Sequence, residues 1–157
     1  MSSDTVDHVI RRAEVEDADA LIPLMQELGY DTSRDTMESQ LGRYASSDRS
    51  IVLIALVSSN LVGLVSGHLI PALHQPGNIG RITSLIVSKQ ARSKGVGARL
   101  IQELEDWFLS YHCLRIEVTS GEHRDAAHRF YESHGYTASS PRFLKVPYFR
   151  RAASVAT

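Results

Sequence analysis

The residues best suited to chemistry lie in one basic turn, Ser88 to Gly97. The turn reads SKQARSKGVG and ends in two glycines. Because glycine has no Cβ, its backbone N–H groups can approach a ligand closely. A helix that begins at this point adds further unpaired N–H donors and the positive end of its dipole. The composition therefore predicts a binding site for a phosphate or pyrophosphate group.

Two elements must hold this turn in place. Upstream, the residues from Arg81 to Val87 are rich in β-branched and apolar side chains, which predicts a buried strand. Downstream, apolar residues recur at the spacing of a helix that buries one face: Val96, Leu100, Ile101, Leu104, Trp107 and Phe108. The sequence therefore predicts a strand, a phosphate-binding turn and an amphipathic helix in succession.

Two other kinds of nucleotide site, the P-loop and the dinucleotide-binding turn, share this outline. A P-loop ends in Gly-Lys-Ser/Thr, whereas this turn continues as Gly-Val-Gly-Ala. A dinucleotide-binding turn needs a third glycine where Leu100 stands, and its first glycine follows the strand almost directly. Here seven residues, Ser88 to Lys94, precede Gly95. Neither of the two fits, and a plain connection without a ligand is the remaining alternative.

Two motifs resemble those of the GNAT family of N-acetyltransferases. The first is Arg92-x-x-Gly95-x-Gly97, preceded by a strand with Leu85-x-Val87. The second, AHRFYESHGY from Ala127 to Tyr136, is similar to that family's later helix and following strand. The resemblance implies an enzyme that transfers the acetyl group of acetyl-CoA to a primary amine of a small molecule, peptide or protein. A non-catalytic acetyl-CoA-binding sensor or interaction module is the alternative.

The resemblance also implies roles for individual residues. The backbone of Leu85 and Val87 would pair with the pantetheine amides, and the N–H of Val87 would stabilise the oxyanion of the tetrahedral intermediate. Tyr131 stands where the family often has the general acid for the departing thiolate. The predicted cofactor-binding residues are Leu85, Ile86, Val87, Arg92, Ser93, Lys94, Gly95, Val96, Gly97, Ala98, His123, Arg124 and Tyr131.

The chain departs from the family pattern just before the later helix. An asparagine is common there, seven positions before the tyrosine, and this chain has Arg124 instead. We expect His123 or Arg124 to replace that cofactor contact.

The sequence leaves the general base open. An amine of the lysine type has a pKa near 10.4 and must lose a proton before it can attack a thioester. The candidates that could accept this proton are His68, Glu117, Glu27, His74 or a water relay.

Length and composition bound the class of protein. With 157 residues, of which 43% are hydrophobic, we expect a single folded domain over residues 1–157. The net charge of −1 gives no global field that would recruit nucleic acid or an acidic membrane. No apolar run approaches a membrane span, and the single Cys113 fits a reducing compartment, so the expected location is cytoplasmic. The histidines fall into no metal-ligand spacing, so no metal is expected.

The predicted order of elements is β-α-α-β-β-β-α-β-α-β-β, which fits a mixed α/β sandwich. The resemblance implies the GNAT-like form: a mixed, mostly antiparallel central sheet with splayed central strands and helices on both faces. It also implies a homodimer that forms through the closing strands. Besides the unit around the turn, the predicted strands are His8 to Ala13, Ile51 to Val57, Leu61 to Ile70, Leu114 to Thr119, Tyr136 to Ser139 and Phe143 to Pro147. The remaining predicted helices are Glu16 to Gly29, Arg34 to Ala45 with Thr32 or Ser33 as its cap, and Asp125 to His134.

Overall fold

The computed structural model describes residues 7–119 and 125–147. The chain divides into two compact units, Met1–Val118 and Thr119–Thr157. In the described residues, the first unit holds a sheet and three helices, and the second holds one further helix.

The sheet of the first unit has five strands in the order β1-β2-β3-β4-β5. Strands β1 to β4 are antiparallel to their neighbours, whereas β5 runs parallel to β4. Residues of β2 and β3 are apolar at most positions because both faces of the sheet are covered there. The strand bounds are β1 His8–Arg12, β2 Ser50–Val57, β3 Asn60–Pro71, β4 Asn78–Val87 and β5 Cys113–Val118.

Helices cover the two faces of this sheet. The first two, α1 (Ala18–Glu27) and α2 (Arg34–Ala45), share a hydrophobic core with one face. That core is formed by Ala18, Leu21, Leu24, Met37, Leu41, Val52, Ile54, Leu64 and Ile86. Helix α2 has its predicted bounds and one of its two predicted caps, because the Ser33 Oγ accepts the N–H of Thr36 at 3.1 Å.

The other face carries α3 (Val96–Ser110), which lies unusually close to the sheet. A Cβ placed on Gly80 would lie 2.7 Å from Phe108 Cγ, and one on Gly67 would lie 2.8 Å from Leu104 Cδ1. Only glycine leaves room for the helix at these two positions. Its buried stripe includes Leu100, Leu104 and Phe108, each with 0% exposure, as the apolar periodicity predicts.

The strands β4 and β5 part before β4 ends. They pair from Asn78↔Cys113 to Ile82↔Val118, and β4 then continues to Val87. The parting coincides with a bulge, because the register between β3 and β4 shifts between Ser66 and Gly67 and leaves Thr83 as the extra residue. A bulge bends its strand and increases the local twist. The splay implied by the resemblance is therefore present in the sheet.

The predicted strands Leu61 to Ile70 and Arg81 to Val87 leave a connection between them that is longer than the observed one. The β3–β4 hairpin keeps pairing as far as Pro71↔Asn78, so only residues 72–77 form the connection. The proline stands at the end of the strand, where it removes no hydrogen bond from the middle of the sheet. Elsewhere in the unit the predicted elements differ from the observed ones by a few residues at their ends.

The second unit contains α4 (Asp125–Ser133). Gly135, with φ of +88°, follows its end, and the N–H of Tyr136 reaches back to the carbonyl of Tyr131 at 3.0 Å. The two predicted closing strands are wrong: residues 136–147 form no strand in the structure. Their side chains have the right composition, but Phe143 is 91% and Leu144 73% exposed, so neither gains the burial that stabilises a strand.

Within the described residues, no helix is both long and apolar enough to cross a membrane.

Candidate functional site

The part of β4 beyond the parting presents backbone groups to its open edge. The N–H of Ser88 donates to the carbonyl of Val62 at 2.7 Å, which makes Gly63↔Val87 a non-hydrogen-bonded pair of the antiparallel ladder. The N–H and C=O of Val87 therefore point away from β3. By the same alternation, those of Leu85 do so too. Along the described strands β5 does not reach this stretch, so both residues present a donor and an acceptor at an edge without a neighbouring strand.

Ile86 lies between these two residues and behaves differently. Its backbone groups face β3, and its side chain is 3% exposed in the core under α1 and α2. Neither its backbone groups nor its side chain lies at the open edge, so the predicted contact of Ile86 with the cofactor stays a prediction.

The basic turn begins where β4 ends. A 3₁₀ turn over Lys89–Ala91 buries Ala91, and the chain then takes left-handed conformations at Ser93 (φ 63°) and Gly95 (φ 81°). Nothing lies within 4 Å of a Cβ built on Gly95, so this glycine is needed for its positive φ and not for space. The two left-handed residues stand directly before α3, and the second is its N-cap.

The start of α3 leaves N–H groups available to a ligand. Gly95 is the N-cap and makes no side-chain hydrogen bond to the helix. The first helical bond is the one from Arg99 N–H to the Gly95 carbonyl, so the N–H groups of Val96, Gly97 and Ala98 have no partner within the helix. The side chain of Val96 is 1% exposed and fixes the helix start against the sheet. An uncapped helix start of this kind attracts anions.

Three of the predicted cofactor-binding residues, two of them cationic, lie on the surface of this turn. Arg92, Ser93 and Lys94 are all exposed. The Nε of Arg92 donates to the carbonyl of Val87 at 3.2 Å, so its guanidinium group lies at the open edge itself. The charge and the strand edge therefore belong to one site.

Glu27 holds the turn from the other side, a role that the sequence did not reveal. Its carboxylate accepts the N–H of Lys89 at 3.0 Å and faces the hydroxyl of Ser88 at 3.4 Å. These contacts tie the end of α1 to the beginning of the turn across more than sixty residues of sequence. Glu27 stays a candidate base, and the structure adds a contact that positions the turn.

The sheet face under α1 and α2 changes from apolar to polar at the bulge. Ser66 and Thr83 join their hydroxyls there at 2.7 Å. Next to them, Arg81 Nη1 donates to Glu117 Oε2 at 3.2 Å, and Arg115 Nε donates to Glu117 Oε1 at 2.7 Å. We call Arg81, Glu117 and Arg115 the charged cluster. Sequence analysis identified only its glutamate.

His68 is the cross-strand neighbour of Arg81 on the same face. Its Nε2 lies 3.0 Å from the Tyr44 hydroxyl and its Nδ1 lies 2.8 Å from the Ser50 hydroxyl. Burial lowers the pKa of His68, so the ring is neutral at pH 7. Of the four candidate side chains for the base, Glu117 and His68 lie near the parting. His74 lies in the 72–77 connection, at the opposite end of β4 from the basic turn.

Tyr131 lies on α4, in the second unit. Its ring contacts Phe130 at 5.5 Å and Tyr136 at 5.6 Å between centroids, both in edge-on geometry. His123 and Arg124 lie outside the described residues. The roles predicted for these three residues stay predictions.

The fold and the open edge define a class of protein, a mixed α/β domain that binds a ligand where a central strand loses its neighbour. The sequence matches the Acetyltransferase (GNAT) family over residues 15–136, and the chain belongs to this family. It is therefore an acetyltransferase, and acetyl-CoA is the donor that GNAT acetyltransferases use. The family and fold predicted from the two motifs are confirmed.

Individual relatives agree with this assignment. The chain is 30% identical over 142 residues to aminoalkylphosphonate N-acetyltransferase of Salmonella typhimurium strain LT2, which covers 87% of this chain and 89% of that protein. The structure of glucosamine-6-phosphate N-acetyltransferase from Arabidopsis thaliana superposes with a TM-score of 0.78 at 19% identity, over 89% of this chain and 98% of the other. Aminoglycoside N-acetyltransferase AAC(6')-Iy in complex with CoA gives 0.81 at 12% identity, over 94% and 99%. At these identities the two solved structures establish the fold alone.

Proposed function

We propose that this protein transfers the acetyl group of acetyl-CoA to a primary amine of a small molecule, by direct attack of the amine on the thioester. The observation that carries the proposal is the open edge of β4, which ends at a basic turn and an uncapped helix start. No other stretch of the described residues combines an unpaired strand edge with an anion site.

The residues of this edge fit the donor. Leu85 and Val87 offer backbone groups two residues apart, about 6.6 Å, to an arm that carries two amides. The N–H groups of Val96, Gly97 and Ala98 would bind the pyrophosphate, with Arg92 and Lys94 supplying charge. Acetyl-CoA supplies the activated acetyl group. The chain binds and orients it in the manner of an added strand.

The acetyl group would lie toward the parting of β4 and β5. An arm that starts at the basic turn passes Val87 first and Leu85 next, so its reactive end is directed at the bulge. Val87 stays the predicted oxyanion donor. Leu85 is the alternative, because its N–H faces the same edge and lies nearer to the bulge.

Proton transfer has two parts. The amine would lose its proton to His68, to Glu117 or to a water molecule on the polar face beside the bulge. Tyr131 would donate a hydrogen bond to the departing sulfur. Complete proton transfer from a phenol with a pKa near 10 to the thiolate of a thiol with a pKa near 8.5 costs about 2 kcal/mol. A strong hydrogen bond without complete transfer therefore suffices.

The acceptor most worth testing first follows from the relatives. One of them is named for aminoalkylphosphonates, which are short primary amines, and it is similar to this chain along most of its length. We therefore propose a small amine as the acceptor class and rank a peptide or protein amino group second.

The test begins with isothermal titration of acetyl-CoA into the protein, with NAD and ATP as control ligands. Saturable binding of acetyl-CoA alone is the expected result, followed by release of the CoA thiol when amines are added. Binding without turnover on any amine would favour the alternative, a sensor or interaction module. Absence of binding would mean that the basic turn holds no cofactor.

Gly97→Asp and Gly97→Asn form a matched pair for the same titration. The aspartate places a negative charge among the N–H donors; two like charges about 4 Å apart repel by about 4 kcal/mol in a partly solvated site. We expect the aspartate variant to bind acetyl-CoA at least about 100-fold more weakly and the asparagine variant to lose much less. The two side chains have the same shape, and an acidic residue in the first turn favours a helix, so the aspartate variant should fold at least as well as the asparagine variant. Equal affinities for the two variants would contradict the pyrophosphate assignment.

A further inference from the structure

The bulge in β4 carries a pair of hydroxyl groups, one buried and one exposed. Ser66 is the one buried polar side chain among the described residues, with 3% exposure. Its Oγ lies 2.7 Å from Thr83 Oγ1, and in the part of the chain that the structure describes this hydroxyl has no other hydrogen-bonding partner. Thr83 is exposed and directly follows Ile82, the last residue of β4 that pairs with β5. The pair therefore connects the interior of the fold with the surface at the point where the strands part.

The hydrogen bond between the two hydroxyl groups can run in either direction. If Thr83 donated, the proton of Ser66 would be buried without an acceptor, which is costly inside a protein. If Ser66 donates, both needs are met, because the proton of Thr83 can then point outward to water or to a ligand. Ser66 is therefore assigned as the donor. Its donation also polarises the Thr83 hydroxyl and makes it a stronger donor to a third group.

The reactive end of acetyl-CoA reaches this hydroxyl if the arm pairs with the open edge as proposed. Between the amide that pairs with Leu85 and the thioester carbonyl lie two carbon atoms and the sulfur, about 5 Å when extended. A strand advances about 3.3 Å per residue, so the carbonyl group would lie about one to two residues beyond Leu85. That interval ends at Thr83, whose hydroxyl proton needs an acceptor of this kind.

We infer that Thr83 is a catalytic residue that donates a hydrogen bond to the thioester carbonyl oxygen, and that Ser66 is the positioning residue that orients it. The inference rests on the proposed function and adds a side-chain donor to the backbone N–H groups of the open edge. Donors aimed at the oxygen where charge develops are among the largest contributions to acyl transfer.

The Thr83 proton acts while the tetrahedral intermediate exists. The nitrogen lone pair of the amine forms the new C–N bond, and the π pair of the carbonyl moves onto oxygen, where Thr83 stabilises it. That pair then re-forms the C=O bond, the C–S bond breaks, and CoA leaves as its thiolate. The nitrogen gives its extra proton to the base, and Thr83 keeps its own proton throughout.

Thr83→Val tests the inference, because valine has nearly the shape of threonine without the hydroxyl group. It should lower kcat for 2-aminoethylphosphonate about 10- to 100-fold, somewhat less than the loss of a fully buried oxyanion donor. The Kd for acetyl-CoA, measured by calorimetry, should change little. Thr83→Ser keeps the hydroxyl and should lose much less. Infrared spectroscopy of bound acetyl-CoA, isotope-labelled at the carbonyl carbon, needs no acceptor: the C=O stretch should lie at higher frequency in Thr83→Val than in wild type.

A double variant separates the chemistry from the fold. Thr83→Val leaves the Ser66 hydroxyl buried without a partner, whereas Ser66→Ala together with Thr83→Val removes both hydroxyl groups and that structural cost. The double variant should unfold at a higher temperature than Thr83→Val and yet be just as slow. Ser66→Ala alone should lower kcat less, since Thr83 keeps its hydroxyl but loses its orientation.

Ser84→Ala is the matched control, because Ser84 is the register partner of Ser66 on the same face and, among the described residues, its hydroxyl does not bond to Ser66. It should keep the wild-type kcat and carbonyl frequency. Recovery of the wild-type kcat in the double variant would overturn the inference, since the loss would then come from the unpaired Ser66. An unchanged carbonyl frequency in Thr83→Val would overturn it as well and leave the proposed function standing, and this readout decides alone if 2-aminoethylphosphonate is not acetylated. Failure of wild type to bind acetyl-CoA would overturn both.

Discussion

Replacing Gly67 by alanine should destabilise the protein, because α3 rests directly on this residue. The new Cβ would lie 2.8 Å from Leu104 Cδ1 and 2.8 Å from Phe108 Cζ. Carbon atoms prefer separations of about 3.5–4.0 Å, so the contact is short by roughly 0.7 Å or more. Leu104 and Phe108 are fully buried and cannot swing into solvent, so the helix must move.

Overpacking of this kind typically costs about 1–3 kcal/mol. For a protein of about 150 residues, 1 kcal/mol corresponds to a fall in Tm of about 2–4 °C, so Gly67→Ala should unfold roughly 2–12 °C below wild type. Thermal unfolding followed by circular dichroism measures this shift, and urea unfolding gives the change in free energy directly.

The same substitution at two other glycines supplies the controls. Gly42 lies within α2 with nothing within 4 Å of its added Cβ, so Gly42→Ala should stabilise by about 0.5–1 kcal/mol. Gly95 has equal space but a φ of +81°, so alanine should cost about 1–2 kcal/mol through backbone strain alone. A Gly67→Ala variant as stable as wild type would refute the close seating of α3 on β3.

Two further changes test the chemistry and the polar face. Tyr131→Phe should lower kcat about 100-fold, because it removes the hydrogen bond to the departing sulfur. The Kd for acetyl-CoA should stay the same. An unchanged kcat would mean that Tyr131 serves only in packing. His68→Gln should flatten the pH dependence of the free energy of unfolding below about pH 6.5, measured as urea midpoints from pH 5 to 8.

The sign for His68 follows from burial. Its pKa is lowered from 6.5 in the folded protein, so the unfolded chain binds more protons just below that pH. Stability must therefore fall as the pH drops below about 6.5 and recover above it. Asp17 does not interfere, because its pKa is lowered from 3.8 by its hydrogen bonds with Arg11, so its contribution is lost only at lower pH. If the urea midpoints of wild type and His68→Gln changed in parallel with pH, the lowered pKa of His68 would be contradicted.

The elements that could be predicted from the sequence are those set by local signals. Helix α2 has its capping serine and its apolar positions within one segment, and its predicted bounds match the structure. The β2–β3 hairpin turns at Ser58 and Ser59, both with positive φ, in the short polar stretch between the predicted strands Ile51 to Val57 and Leu61 to Ile70. The motif around Gly95 depends on a left-handed residue and a helix start, which are also local.

Contacts between segments that lie far apart in the sequence could not be predicted from it. The contact of Glu27 with Lys89 joins residues 62 positions apart, and the pair Arg81 and Glu117 joins residues 36 apart. Neither can be found without the pairing of β4 with β5 and the packing of α1. The predicted strands after α4 failed for the related reason that a strand needs a partner, which local composition does not supply.

The open edge of β4 could pair with another chain, and a charged side chain protects it. An unpaired strand edge invites pairing with other chains, and proteins often protect such edges with cationic side chains. In this structure Arg92 does so by donating to the carbonyl of Val87. A ligand that pairs with the edge must displace this contact, and its pyrophosphate would offer Arg92 a stronger partner at the adjacent helix start. Protection of the free edge and recognition of the ligand can therefore depend on the same side chain.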